Sequence, residues 1–404
     1  MDGINTKNTL HLLLSAYACH PEKGSEPGLG WENFVSLSKR FDNITLLTRN
    51  IYKVPIENNS FFQSQKHVTP IYYELPGWLD RIEKTRIGFQ LHPYLWEVFV
   101  FFHLWKKFKK NQFDIAQKVT TGSYRFPSFA WYFAKKFVWG PLASGERYNF
   151  KLIQIFSLRG KIRELFRMFI QRAVFLDPLI IATLLKADQI ITISEDTRSI
   201  MPAFARKKAV IKPNYISIKP EDYNLAIKEN ITKDTQKLKL LFVGRMQEWK
   251  GVMFTLQALR KVHSKINYEF TVIGDGPDLN LFKDYARKHK LNVTFITDWV
   301  DRRDLSSYYF SHHLFMFPCL HAVTGYVFLE SLLHDLAVLA LDITGSKELV
   351  GSNYGIEIST KNKTKNDVVD EIADRLCDFF EANFTEKKTK IPLVYEFNNK
   401  EFSN

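Results

Sequence analysis

Residues 320–330 join an apolar run to the start of a predicted helix, and their types suit the binding of an anion. A turn of small residues at a helix N-terminus exposes backbone N–H groups where the helix dipole attracts negative charge. We expect a nucleotide diphosphate at this turn and a ribose at Glu330, about one helical turn further on. An ordinary strand–turn–helix connection has the same pattern. The turn residues are Thr324, Gly325 and Tyr326.

Two cations follow another predicted strand, residues 238–243. Gly244 and Arg245 come directly after the strand, and Lys250 follows within a short loop. A glycine lets a phosphate approach the backbone, a guanidinium offers a planar fork of donors, and an ammonium offers a compact charge. We predict that Arg245 and Lys250 bind a diphosphate and stabilise the charge that grows on it as it departs. The alternative is a pair of surface cations at a turn.

Glycine turns follow two further predicted strands. Gly274 and Gly276 would let a base or a ribose pack closely against the main chain. Near the N-terminus, Glu26, Gly28 and Gly30 lie in a predicted loop whose N–H groups we expect to bind a phosphate or an acceptor. Neither segment matches the GxGxxG dinucleotide fingerprint, which disfavours a dehydrogenase. Conformationally demanding turns are the alternative for both.

Several catalytic and metal-binding patterns do not occur in the sequence. There is no Asp-x-Asp pair to hold a metal-bound nucleotide, no HExxH, no GxSxG and no GxxxxGK[ST] motif. The sequence therefore disfavours a hydrolase, a kinase or a metal enzyme. We expect no metal and no other cofactor.

The composition indicates a folded, basic, two-domain protein. The 404 residues include 56 Lys and Arg against 43 Asp and Glu, a net charge of +13, which implies an anionic partner. Nucleic acid is disfavoured because the basic residues are spread through predicted helices without a recognised motif. The three cysteines lie far apart, and no secretion signal or membrane-spanning run is evident. We expect a cytoplasmic protein whose membrane contact, if any, is peripheral and at the inner face of the cell membrane.

The predicted elements form two successive α/β series, which indicates an α/β fold of two Rossmann-like domains facing each other across a cleft. The first series includes strands at 10–15 and 44–48, a loop at 18–30 and a helix at 31–39. The second includes strands at 238–243, 293–296 and 314–317. We predict an N-terminal domain at 1–215, a linker at 216–237, a C-terminal domain at 238–375 and a helical tail at 376–404.

Two segments of the N-terminal domain alternate apolar and basic residues, at 104–110 and 151–172. Basic amphipathic helices of this kind lie on anionic bilayers with their apolar side chains at the headgroup boundary. The alternative is a solvated helix whose apolar side packs inside the domain. The sequence leaves both interpretations open.

The chain resembles the retaining GT-B glycosyltransferases of family 4, the glycosyl transferases group 1. The C-terminal half carries the family pattern at residues 242–251, 273–277, 317–318, 325–330 and 345–348. The N-terminal half is similar to one branch of that family, with its SEPGxGW loop, through residues 15–17, 25–31, 138–141, 145–146, 187–188 and 213–214. The resemblance implies a retaining hexosyltransferase of GT-B fold that takes a UDP- or GDP-sugar. It also implies a diphosphate on Arg245 and Lys250, and a ribose on Glu330.

The sequence departs from the family pattern at three places. Ala322 stands where the Glu-x7-Glu motif has its first carboxylate, and Thr324 precedes Gly325 where a glycine pair is common. A histidine that is frequent in the N-terminal domain is replaced near Lys118. Two hypotheses follow. The first is an active transferase that extends a capsule or lipopolysaccharide glycan on a lipid carrier, and the second is a degenerate nucleotide- or glycan-binding module that supports a partner enzyme.

Overall fold

The chain forms two compact units, the first containing residues 1–146 and 167–216 and the second 147–166 and 217–404. Residues 147–166 thus belong to the second unit, although the sequence placed them in the N-terminal domain. The predicted boundary at 375 falls inside a helix, Lys365–Glu381. The computed structural model describes residues 10–84, 88–145, 149–212, 222–231, 236–321, 326–343 and 355–382.

The first unit contains a parallel sheet of seven strands in the order β3-β2-β1-β4-β5-β6-β7. Its strands are β1 (His11–Ser15), β2 (Asn43–Arg49), β3 (Val68–Tyr73), β4 (Phe113–Lys118), β5 (Ala134–Leu142), β6 (Gln189–Thr192) and β7 (Ala209–Ile211). The α-helices up to residue 206 are α1 (Ser25–Ser38), α2 (Lys53–Glu57), α3 (Ser60–Ser64), α4 (Gly77–Asp80), α5 (Gly88–Trp105), α6 (Leu158–Ala173), α7 (Pro178–Lys186), α8 (Glu195–Ile200) and α9 (Ala203–Arg206).

The second unit contains a parallel sheet of six strands in the order β10-β9-β8-β11-β12-β13. Its strands are β8 (Leu238–Val243), β9 (Tyr268–Ile273), β10 (Val293–Ile296), β11 (Leu314–Phe317), β12 (Ala337–Leu341) and β13 (Gly355–Ile358). Its later helices are α10 (Val252–Val262), α11 (Leu279–Lys288), α12 (Arg302–Ser311), α13 (Tyr326–Leu333) and α14 (Lys365–Glu381). Short 3₁₀ helices in the chain are Asn50–Tyr52, Arg81–Lys84, Ala130–Tyr132, Phe150–Ile155, Val174–Leu176, Leu225–Asn230 and Glu248–Lys250.

The two parallel-sheet, Rossmann-like domains predicted from the sequence are confirmed. Central strands such as β1 and β11 are continuous apolar runs because helices cover both faces of a parallel sheet. Leu12, Leu13 and Leu14 are accordingly buried, as are all four residues of β11. The predicted strands at 238–243, 293–296 and 314–317 have the observed bounds.

Two predicted element boundaries are wrong. The helix α1 begins at Ser25 rather than at Trp31, because Glu26 and Pro27 suit the first turn of a helix. The basic segment at 104–110 is not a helix, since α5 ends at Trp105 and lysines follow it in a turn.

No single helix in the described part of the chain is long and apolar enough to cross a membrane. One pair of helical segments, Leu158–Leu176 and Pro178–Lys186, meets the length and composition requirement only when taken together, with a bend of 67° between them.

Candidate functional site

The turns that follow β8 and β9 pack main chain against main chain at the carboxyl edge of the second sheet. Gly244 N donates to Ile273 O at 2.9 Å, and Met246 N donates to Asp275 O at 2.9 Å. Gly274 has φ +132°, and a Cβ built on it would lie 2.2 Å from Gly244 O. The close approach that requires glycine at 274 is therefore that of the neighbouring turn.

Gly276 is required for a similar reason, since a Cβ on it would lie 2.5 Å from Met246 O. Both glycines were predicted to let a base or a ribose approach the main chain. The structure shows that they let two loops approach each other. Their contact with a donor stays a prediction.

Lys250 is half-buried at the end of a 3₁₀ helix, Glu248–Lys250, and lies against aromatic rings. Its Nζ is 4.3 Å from the ring centroid of Trp249 and 5.4 Å from that of Phe317. A ring face attracts an ammonium without neutralising it as a carboxylate would. Among the described residues no carboxylate forms an ion pair with Lys250, and its contact with a diphosphate stays a prediction.

Arg245 is exposed on the same turn and makes no ion pair with any residue that the structure describes. The turn also reaches the end of β11, because a Cβ on Gly251 would lie 1.9 Å from Pro318 O. Leu320 N donates to Trp249 O at 2.8 Å. The predicted cations after β8 thus lie on a turn that contacts the segment after β11.

His321 ends the described part of that segment and stacks on Trp249, with ring centroids 4.6 Å apart and an interplanar angle of 14°. Its Nε2 lies 3.5 Å from Oε1 of Glu164, a buried residue of α6. Three predicted positions, Ala322, Thr324 and Gly325, fall outside the described residues. Tyr326 is the first residue of α13.

Glu330 lies on α13 with 4% of its surface exposed, and both of its carboxylate oxygens accept hydrogen bonds. Tyr223 Oη donates to Oε1 at 2.7 Å and Tyr309 Oη donates to Oε2 at 2.8 Å. Burial, together with the Glu330 carboxylate, raises the pKa of both tyrosines, so their hydroxyls remain protonated donors. A carboxylate has about four acceptor positions, so Glu330 can still accept from a ribose, and that role stays a prediction.

Sequence reasoning missed a second set of polar contacts. In this set, residues of the segment 147–166 bind side chains on the turns after β8 and β9. Glu248 is buried and accepts hydrogen bonds from Ser157, at 2.5 Å from N and 2.9 Å from Oγ. Arg163 of α6 binds Asp278 through Nη2 at 2.8 Å and reaches Glu248 Oε1 at 3.4 Å. Burial raises the pKa of Glu248, and the contact with Ser157 N acts in the opposite direction. No motif could have indicated these contacts, because the partners are about 90 or more residues apart.

The predicted phosphate or acceptor loop near the N-terminus is part of α1. Gly28 and Gly30 are buried within the helix, and a Cβ on Gly30 would lie 1.9 Å from Ala18 O. Glu26 Oε1 accepts a hydrogen bond from Gly122 N at 2.8 Å, and burial raises the pKa of Glu26. The prediction of an open loop is wrong. These residues pack α1 against the segments that follow β1 and β4.

Lys118 lies at the end of β4, near the position of the replaced histidine, and its side chain is buried in an ion pair. Its Nζ is 2.9 Å from Glu97 Oε1 and donates to Phe126 O and Pro127 O at 3.0 Å. Both side chains are at most 3% exposed. Burial raises the pKa of Glu97 and lowers the pKa of Lys118, and their mutual attraction acts against both shifts.

A network of charges lies at the carboxyl edge of the first sheet, where ligands of doubly wound folds bind. Arg49, the last residue of β2, binds Glu83 through two N–H···O contacts of 2.8 Å and Glu74 through one of the same length. Asp80 lies 3.3 Å from the guanidinium and 3.2 Å from His92 Nε2. One ligand atom each of Glu74, Asp80 and His92 lies within 4.8 Å of the others. Since the guanidinium of Arg49 already binds two of these three, we interpret the cluster as an ion-pair network.

Comparison with known proteins agrees with this architecture. Residues 237–381 match the profile of the family Glycosyl transferases group 1. A protein of Klebsiella pneumoniae described as an uncharacterised 41.2 kDa protein in the cps region is 26% identical over 148 residues, which are 36% of this chain and 40% of that protein. The chain spans less than half the length of the curated relatives it matches.

Solved structures share the fold over nearly the whole chain. One is the Anabaena protein HepE, crystallised with UDP and glucose, with a TM-score of 0.53 and 14% sequence identity. The match covers 92% of this chain and 90% of HepE. Another is WaaG, a glycosyltransferase involved in lipopolysaccharide biosynthesis, with a TM-score of 0.52 and 16% sequence identity. The match covers 92% of this chain and 94% of WaaG. The chain therefore has the GT-B fold, and its residues 237–381 form a domain of the Glycosyl transferases group 1 family.

Proposed function

We propose that the protein is a glycosyltransferase that moves a sugar from a nucleotide diphosphate to a glycan acceptor. One observation carries this proposal: two cations, Arg245 and Lys250, lie on the turn after β8, in a domain that matches the Glycosyl transferases group 1 family, and neither pairs with a carboxylate of the residues that the structure describes. Such cations stabilise the charge of a departing diphosphate. The relative in a cps region and the fold shared with WaaG support an acceptor in surface polysaccharide synthesis.

The reaction that we propose retains the configuration of the anomeric carbon. The bond between that carbon and a diphosphate oxygen breaks, and the acceptor hydroxyl oxygen forms a bond on the same face. A diphosphate oxygen takes the acceptor's proton, so no nucleophile of the protein is required. Arg245 and Lys250 supply the positive charge for this step, and we expect that no metal is needed.

The donor that we propose is a UDP- or GDP-hexose, and the acceptor is a glycan on a lipid carrier. Glu330 would accept hydrogen bonds from the ribose while it keeps Tyr223 and Tyr309 as donors. A lipid-linked acceptor would place a cytoplasmic enzyme at the inner face of the membrane. HepE was crystallised with UDP and glucose, which supports a nucleotide donor of this class.

The proposal is tested by incubating the protein with a panel of UDP- and GDP-sugars, with and without lipid-linked acceptor extracts, and measuring nucleotide release. Release that requires an acceptor and falls in Arg245→Ala is the expected result. Lys288→Ala, an exposed lysine on α11, serves as the control. Absence of release with every donor and acceptor, together with absence of nucleotide affinity, would overturn it.

The second candidate function is a binding module that holds a nucleotide or glycan for a partner enzyme. It is favoured by Ala322, which stands where the family resemblance leads us to expect a carboxylate. It is no longer favoured by Lys118, because the ion pair with Glu97 explains that residue. Micromolar nucleotide affinity without turnover on any acceptor would select this function.

A further inference from the structure

The helix α6 (Leu158–Ala173) has its apolar side chains on the outside. Five of them are between 47% and 75% exposed: Leu158, Ile162, Leu165, Phe166 and Phe169. Steps of about 100° per residue place all five within an arc of roughly 100° on one face of the helix. A helix on the surface of a globular protein normally buries such a face.

The opposite face of α6 is small and polar, and it contacts the protein. A Cβ on Gly160 would lie 2.0 Å from Glu248 Oε1, so the helix backbone lies directly against that carboxylate. Further along the same face, Glu164 is 3.5 Å from His321 Nε2, and Gln171 donates a hydrogen bond to Ser144 O.

These inward contacts fix the rotation of α6 about its axis. Turning the apolar face inward would break the contacts of Glu164 and Gln171 and place a larger side chain against the buried Glu248 carboxylate. The exposed apolar face is therefore fixed by the fold, and an exposed apolar face of this kind marks contact with a membrane or with another protein.

The borders of that face are basic. Helical geometry places Arg159 on one side of the apolar arc, and Lys161 and Arg172 on the other. The only acidic residue of α6 is Glu164, which is buried on the inward face. An apolar face with cationic borders complements an anionic lipid surface, in which long basic side chains reach the headgroups. A second copy of this chain fits less well, because pairing the two faces would bring like charges together.

We propose that α6 is an interfacial helix that docks the protein on an anionic bilayer, lying parallel to its surface. The helix is about 24 Å long, and its five outward side chains would enter the boundary between headgroups and acyl chains. The inference rests on the proposed function only in that a lipid-linked acceptor would lie in the same surface. The same helix contacts the turns near Lys250, because Arg163 of α6 forms ion pairs with Glu248 and Asp278.

The test is co-sedimentation of the full chain with vesicles of phosphatidylcholine, alone or mixed with phosphatidylglycerol. We expect binding to the mixed vesicles, and a loss of at least about tenfold in the partition of Phe166→Ser/Phe169→Ser. Arg159→Ala/Arg172→Ala should weaken binding to the mixed vesicles, and the loss relative to wild type should be larger at low salt than at high salt. The matched control is Trp299→Ser, because Trp299 is 92% exposed but lies outside α6.

The proposal would be overturned if the wild-type protein did not bind the mixed vesicles, or if the α6 variants bound them as tightly as wild type does. It would also be overturned if the wild-type protein were a dimer and Phe166→Ser/Phe169→Ser were a monomer. UDP affinity, measured on the same variants without lipid, keeps this test separate from that of the proposed function. Unchanged UDP affinity also shows that the variants are folded.

Discussion

The ammonium of Lys250 lies 4.3 Å from the ring centroid of Trp249, and the same ring stacks on His321. Two strand-end turns, after β8 and after β11, meet through this indole. The ammonium of Lys250 thus lies against an aromatic ring, and no carboxylate in the described ranges takes up its N–H donors. This arrangement suits a cation that must meet a diphosphate.

Lys250→Ala is expected to lower the affinity for UDP or GDP by about ten- to a hundredfold, because a charge-assisted contact with phosphate contributes roughly 1.5–3 kcal/mol. Lys250→Arg should retain part of the affinity, since it keeps the charge but not the compact ammonium. Isothermal titration calorimetry measures both, with Lys288→Ala as the control. Equal affinities for Lys250→Ala and wild type would reject this placement of the diphosphate.

Glu330→Gln is expected to destabilise the protein by about 1–3 kcal/mol, because an amide N–H₂ would face a tyrosine hydroxyl that now donates to a carboxylate oxygen. Tyr309→Phe removes that donor, so the double variant should lose less stability than the two single variants added together. Urea unfolding of wild type, the two single variants and the double variant measures the four free energies of this double-mutant cycle. Strict additivity would show that the hydrogen bond at 2.8 Å makes no energetic contribution.

Lys118→Met is expected to reduce the free energy of unfolding by about 3–5 kcal/mol, since it leaves the buried Glu97 carboxyl group without its cationic partner. Burial then raises the pKa of Glu97 in the folded state above its unfolded value. The folded state therefore binds more protons than the unfolded state, and stability falls as pH rises through the folded pKa.

The loss in free energy of unfolding of Lys118→Met relative to wild type should accordingly be larger at about pH 8 than at about pH 5. Lys118→Met/Glu97→Leu should recover much of the loss, because it removes both charges. Lys135→Met, which breaks an exposed pair with Asp114, should change little. A deficit that does not vary with pH would contradict the account of a buried charge.

Gly160→Ala is expected to destabilise the second unit by about 1–3 kcal/mol, because the added methyl would overlap Glu248 Oε1, and contacts with Ser157 and Arg163 keep that buried side chain from moving aside. Gly77→Ala is the matched control, since a Cβ at that position meets no atom within 4 Å. Thermal unfolding of the two variants compares them directly. A Gly160→Ala protein as stable as Gly77→Ala would mean that α6 is not fixed against Glu248.

Much of the fold was predictable because parallel strands are short apolar runs between turns. The bounds of β8, β10 and β11 were all anticipated from that pattern. The start of α1 was not, because the glycines at 28 and 30 were interpreted as loop residues, whereas packing against Ala18 demands glycine inside a helix.

The candidate site was predictable only as far as local sequence reaches. Gly244, Arg245 and Lys250 follow one strand, and chain order alone places them at a sheet edge. The partners of Glu330 were not predictable, since Tyr223 lies 107 residues away in a segment that was expected to be a linker. The ion pair of Lys118 was not predictable for the same reason, because its partner Glu97 lies on α5 and no local pattern links the two.

The central claim is that the turns after β8 and β11 bind the diphosphate of a nucleotide. A crystal structure of the protein with UDP or GDP tests it most directly. The account predicts that the diphosphate oxygens lie within hydrogen-bond distance of Lys250 Nζ and the Arg245 guanidinium, with the ribose hydroxyls at Glu330. A nucleotide bound elsewhere, or Lys250 still covered by its aromatic neighbours with no phosphate near it, would contradict the account.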